Sequence, residues 1–508
     1  MKFPRRGGIL LHPTSLPSPA GIGDLGTEAY RFIDFLKQSG NKLWQVLPLN
    51  PTGYGDSPFQ CFSASAGNPL LISLERLIEQ GVLSQEDLEH HPFFPSDKVD
   101  YGAASHFKVP ILTKAAQTFL KKANGNERTD FEQFCRVNAN WLDDFALFMA
   151  CKKAHDGVRW TEWAAEIATR EPRALRDWTV RFAAEIEVIK YWQFEFFQQW
   201  QVLRSYAHRL GVRIIGDIPI YVAHDSADVW ANRELFCLEP QGNPAKVAGV
   251  PPDYFSATGQ LWGNPIFNWK LLKSTGYRWW VERFRAAFRL YDIVRIDHFR
   301  GFEAYWEVPA TESTAMNGRW IKGPGAELFS ALQQELGELP IIAENLGVIT
   351  TEVEQIRQQF GFPGMAILQF AFGNDPQGPS FRPHNYVRNL VAYTGTHDND
   401  TTLGWWNSKG TIDSVRTSED VVKEHVFART YLGYVDDEPI NWTMIRTVLA
   451  SIADTAIIPM QDVLGLGTEA RMNLPGTSSG NWRWRFQPGV LSSELAKRLR
   501  ELNEAFDR

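Results

Sequence analysis

Apolar residues along this chain gather into short continuous runs instead of alternating with polar ones, the pattern of parallel strands covered on both faces. Eight such runs, rich in β-branched residues, fall at 8–12, 43–48, 212–218, 292–297, 340–345, 365–370, 391–396 and 455–459. Helical periodicity precedes most of them, as at 27–39 before the second and 277–291 before the fourth. Alternation of helix and strand predicts an α/β protein with a parallel sheet, and eight units fit a closed (β/α)8 TIM barrel. The whole chain, 1–508, reads as one catalytic domain. A single core rarely serves more than about 250–300 residues, so the barrel must carry insertions. Uneven spacing locates them: a mostly helical subdomain at about 60–210, a loop-rich lid with helices at about 221–290, and a helical segment at 398–454.

Composition then narrows the chemistry. A net charge of −7 without long Lys/Arg runs leaves no electrostatic footprint for nucleic acid or an anionic membrane. No segment approaches the roughly 20 apolar residues of a membrane span. The run Ile9-Leu10-Leu11 is cut by His12-Pro13 too early for a signal peptide. Cys61, Cys135, Cys151 and Cys237 have neither zinc-site nor disulfide spacing and read as reduced thiols, so a cytoplasmic protein is expected. No metal or other cofactor is expected, and the assembly should be a monomer or a weak homo-oligomer. Aromatic residues are abundant, with 19 Trp, 14 Tyr and 33 Phe. Their flat faces suit sugar rings, although a large aromatic core would account for them equally well.

The candidate chemistry lies where four runs end in carboxylates, at Asp217, Asp297, Glu344 and Asp398. In a parallel barrel those ends form the active-site face. Like charges crowded there need a purpose, and retaining glycoside chemistry supplies one: a nucleophilic carboxylate beside a proton-donating carboxyl. Arg295, two residues before Asp297, shares its face of the strand and would hold Asp297 ionised. Ile341-Ile342-Ala343 surround Glu344 with apolar groups that favour its neutral form. Asp398, beside His397, could bind hydroxyls near the reacting carbon. A metal-dependent hydrolase on Asp217, His397, Asp398 and Asp400 would want more imidazole or thiolate than His397 alone provides. A silent glucan-binding protein would not need both Asp297 and Glu344.

With those residues in view, the chain resembles the 4-α-glucanotransferases, also called amylomaltases or disproportionating enzymes, which are distant relatives of the α-amylases. The resemblance runs through His12-Pro13-Thr14-Ser15-Leu16, Gly55-Asp56-Ser57-Pro58-Phe59-Gln60, Gly216-Asp217-Ile218-Pro219-Ile220-Tyr221-Val222 and Gly249-Val250-Pro251-Pro252-Asp253-Tyr254-Phe255. It continues in Trp262-Gly263-Asn264-Pro265, Arg295-Ile296-Asp297-His298-Phe299-Arg300-Gly301, Ala343-Glu344-Asn345-Leu346-Gly347 and Gly395-Thr396-His397-Asp398-Asn399-Asp400. It implies Asp297 as nucleophile, Glu344 as general acid/base and Asp398 as transition-state stabiliser. The implied reaction transfers α-1,4-glucan segments through a covalent glycosyl-enzyme, with malto-oligosaccharides or glucose as acceptors. An amylase-type hydrolase is the alternative, and products separate the two. Asp217, Arg295, His298, His397, Tyr54 and Ser57 are expected at the sugar, together with Asp253, Tyr254, Phe255, Trp262 and Asn264 of the lid.

Overall fold

Twelve strands form among the described residues, and eight of them are the continuous apolar runs. The computed structural model describes residues 3–508 except 90, 253–255, 257 and 411–416. In chain order the strands are β1 (Arg6–Leu10), β2 (Leu43–Gln45), β3 (Arg213–Pro219), β4 (Lys246–Val250), β5 (Gln260–Pro265), β6 (Ile293–Asp297), β7 (Ala304–Pro309), β8 (Arg319–Lys322), β9 (Ile341–Ala343), β10 (Gly364–Ile367), β11 (Leu390–Tyr393) and β12 (Thr455–Pro459). Eight join in the order β10-β11-β12-β1-β2-β3-β6-β9, with every recorded pairing parallel. The two ends of this sheet meet: the Ala343 N–H donates to Pro363 O at 2.9 Å, and Met365 N–H donates to Asn345 Oδ1 at 2.8 Å. The sheet therefore closes into a (β/α)8 barrel, with helices such as Thr27–Gln38 and Arg278–Leu290 between strands.

Close approach of strands inside the barrel depends on residue size. A Cβ on Gly8 would lie 2.5 Å from the Leu43 Cβ and 2.7 Å from the Ile457 Cδ1, so only glycine lets β1 sit between β2 and β12. Polar side chains turned inward pair with one another, as where the Tyr393 hydroxyl donates to Gln45 Oε1 at 3.0 Å.

Between β2 and β3 the chain folds into helices, among them Tyr101–Lys122, Gly125–Val137, Ala139–Ala154 and Ala183–Arg209. The last returns to the barrel, where Trp200 Nε1 donates to Leu290 O at 2.9 Å. It also positions the loop after β2. Gln193 bonds both backbone groups of Gly67, and Gln199 bonds both of Ser73, fixing residues 67–73 of that loop. Residues 221–290 hold loops and helices, and also two short strands. There β4 and β5 join β7 and β8 in a four-stranded antiparallel sheet, ordered β5-β4-β7-β8. Glycine masks the strand pattern at Gly249, where a Cβ would meet Gln260 O at 2.5 Å. Beyond β11 come helices Thr402–Asn407, Ser418–Leu432 and Ile440–Ala450. All four cysteines are free, and among the described residues no helix is long and apolar enough to cross a membrane.

Candidate active site

Alternation along β6 turns Arg295 and Asp297 to the same face, and register sets Arg295 opposite Asp217 on β3. Arg295 Nη1 donates to Asp217 Oδ2 at 2.7 Å and Nη2 to Asp297 Oδ1 at 2.9 Å. The Arg295 and Asp217 side chains are 4% and 0% exposed, whereas Asp297 is 31% exposed at the mouth. This corrects the expectation for Asp217. Its strand runs on through Ile218 to Pro219, which leaves the carboxylate one layer beneath the mouth, closed off from any sugar. Burial pushes the Asp217 carboxyl up to about 8 against the pull of Arg295, while the two carboxylates keep Arg295 charged.

Glu344 follows directly on β9, and the pairing of Ile296 with Ala343 brings it level with Asp297 on the neighbouring strand. Its carboxylate is clamped from two sides: His298 N–H donates to Oε2 and Leu346 N–H to Oε1, each at 2.7 Å. Burial lifts its pKa to about 7. Arg295 and the two N–H groups oppose that rise, and Asp297 adds to it. His298 itself is left-handed, at φ 52° and ψ 51°, a turn after which the next N–H, of Phe299, donates to Glu344 O at 3.1 Å. The His298 ring stands edge-on to Trp262, with centroids 4.8 Å apart. Burial pushes His298 down to about 3, so the imidazole is neutral; its Nε2 has no protein partner.

Asp398 lies in the loop beyond β11, not at the strand's last residue. Asn473 Nδ2 donates to its Oδ1 at 2.6 Å, and Arg471 Nη2 to its backbone oxygen at 2.7 Å. His397 Nε2 is 3.4 Å from the same Oδ1, and burial lowers the His397 pKa, which keeps the ring neutral. That ring stacks on Phe59 at 5.1 Å and leans on Trp482 at 5.5 Å. Arg471, Asn473 and Trp482 are site residues that the strand-end argument passed over. Their signal is the run of polar and aromatic residues after β12, whose partners are remote in sequence.

These groups line one cleft of about 1580 Å³, shared by Asp297, Glu344, Asp398, His298, His397, Arg295, Tyr54, Ser57, Trp262 and Asn264. Tyr54 stands 76% exposed on its rim. The Ser57 hydroxyl accepts from Phe59 N–H at 3.2 Å. Asn264, expected as a hydroxyl ligand, is buried and committed to protein: it donates to Val222 O at 2.9 Å and accepts from Gln60 Nε2 at 3.2 Å. Asp253, Tyr254 and Phe255 lie outside the described residues. Among those described, no group of three or more His, Cys, Asp or Glu is arranged to hold a metal ion.

A barrel whose mouth sets a clamped, partly neutral carboxyl beside an arginine-held carboxylate defines the class of glycoside-processing barrel enzymes. Comparison with known proteins narrows this. A family model described as 4-alpha-glucanotransferase matches residues 11–492. A 4-alpha-glucanotransferase of Synechocystis sp. is 52% identical over 507 residues, 99% of this chain and 98% of that protein. One from Thermus thermophilus is 50% identical over 510 residues, covering both chains fully. Among solved structures, the amylomaltase from Streptococcus agalactiae in complex with acarbose matches with a TM-score of 0.94 at 40% identity, over 99% of each chain. The chain belongs to the 4-alpha-glucanotransferase family.

Proposed function

We propose that this chain transfers α-1,4-glucan segments from a donor malto-oligosaccharide to the 4-hydroxyl of an acceptor glucan or glucose, with retention, in the cytoplasm. Asp297 attacks the anomeric carbon as the bond to the departing chain's O4 breaks, and Glu344 gives that oxygen its proton. The acceptor hydroxyl then attacks the glycosyl-enzyme, Glu344 takes up its proton, and Asp297 leaves. Asp398 holds ring hydroxyls as positive charge develops at the reacting carbon. One observation carries the reading: Glu344, its pKa near 7 through burial, lies level with Asp297, to which Arg295 donates a hydrogen bond of 2.9 Å. A group near neutrality can both give and reclaim a proton, as the two half-reactions require. Neutral His298 and His397 supply hydrogen-bonding positions that do not compete for that proton. Trp262 supplies an apolar wall that favours a sugar over water.

Incubation with maltotriose alone tests it. Transfer yields glucose together with chains longer than the substrate. Maltose and glucose without longer chains would make the enzyme a hydrolase and overturn the proposal.

A further inference from the structure

The cleft extends past the carboxylates to a part of its wall that the reaction does not use. Trp320, on β8 of the small antiparallel sheet, lines the same cleft as Asp297 and Glu344 and remains 38% exposed. An indole open to water inside a cleft otherwise rich in hydrogen-bonding groups is an unfilled apolar surface.

It is also held still. The Arg300 guanidinium carbon lies 3.7 Å from the ring centroid on one side, and the Trp306 ring packs against it at 5.2 Å and 66°. Arg300 is buried and donates to Val348 O, and Trp306 Nε1 donates to Ala315 O at 2.8 Å, so both supports are anchored. A platform fixed before the ligand arrives loses little entropy on binding. With its cation spent against the indole and a carbonyl, Arg300 presents no exposed charge for an anionic ligand. What remains suits an uncharged ring with apolar faces.

Chain connectivity gives the direction. The segment that leaves Glu344 reaches Val348, and Arg300 joins that residue to Trp320. Glu344, as proton donor, must face the oxygen of the departing chain, so surfaces reached outward from it flank the departing and incoming glucan. The Asp398 flank, with Asn473 and Arg471, belongs to the loops beyond β11 and β12 instead.

We propose that Trp320 is a stacking platform for distal glucose units of the acceptor chain and sets the enzyme's preference for acceptor length; this rests on the transfer reading above. The test separates acceptor from donor by using maltosyl fluoride, whose leaving group needs no sugar, with glucose, maltose, maltotriose and maltotetraose as acceptors. The wild-type KM should fall as acceptors lengthen. In Trp320→Leu, which keeps an apolar strand residue, the KM of the longer acceptors should rise about tenfold, while glucose as acceptor and fluoride release keep their rates. Trp320→Tyr should retain most of the length dependence. An unchanged length dependence in Trp320→Leu, or an equal loss with glucose, would overturn the platform. A wild-type enzyme that releases fluoride without extending any acceptor would instead overturn the transfer reading.

Discussion

Glu344→Gln isolates what burial does to the proposed acid. Burial carries the carboxyl from its ordinary 4.5 to about 7, with Arg295 and the two N–H groups pulling down and Asp297 pushing up. Between those values the folded protein holds a proton that the unfolded chain has released. Stability therefore falls as pH rises through the window, and the full penalty is present above about 7. At about 1.36 kcal/mol per unit, the penalty is about 3 kcal/mol. Glutamine does not titrate and escapes it. The substitution has its own fixed cost, because the amide NH2 faces one of the His298 and Leu346 N–H donors, whereas the hydroxyl oxygen of the protonated carboxyl can still accept. That mismatch costs about 1–3 kcal/mol at every pH. Urea unfolding of both proteins from about pH 4 to about pH 8 separates the contributions: the offset is constant, and the variant should gain about 3 kcal/mol on the wild type across the window. A difference that stays flat with pH would refute the burial argument. In the same range, wild-type donor cleavage should decline above about pH 7 as the acid loses its proton.

The other proposed roles make sharper, simpler demands. Asp297→Asn should abolish turnover while calorimetry still detects malto-oligosaccharide binding; near-normal rates would remove it as nucleophile. Arg295→Met should cost about 1–3 kcal/mol in urea unfolding at neutral pH, because Asp217 and Asp297 each lose a hydrogen bond from the guanidinium, and an unchanged stability would mean that these bonds contribute nothing to the fold. Asn473→Ala removes the 2.6 Å bond to Asp398 and should lower kcat about ten- to a hundredfold with little change in KM. A rise in KM alone would make Asn473 a substrate-binding group rather than a positioning one.

Strands covered on both faces carry their signature in every residue, so the barrel was legible in the apolar runs, as were Arg295 and Asp297 through simple alternation. Glu344 was legible because three apolar neighbours precede it. Asp217 misled for the opposite reason: Ile218 and Pro219 extend the strand beyond it, and a strand's last residue cannot be read from an apolar sequence that does not stop. The sheet of β4, β5, β7 and β8 was hidden because its pairings cross the barrel strand β6 in sequence and glycine stands where a side chain would betray the alternation. Asn473 lies 75 residues from its partner Asp398, and no local pattern reports such a pair.

Asp217, though absent from the sugar surface, has a physical part in how the proposed acids divide their tasks. Arg295 has two carboxyl groups to serve, so it gives Asp297 one hydrogen bond at one oxygen, and the Asp297 side chain stays partly open to the cleft. A cation devoted to Asp297 alone, gripping both oxygens, would hold it ionised but blunt it as a nucleophile. Glu344 meets the complementary balance. Two N–H donors and a nearby cation favour its charged form, burial and Asp297 favour the neutral one, and the outcome lies near 7. Loss of either N–H would move the carboxyl further up and leave it a competent donor but a poor base. The His298 N–H is therefore a requirement of the second half-reaction: it is a donor that keeps Glu344 able to take back the proton it gave.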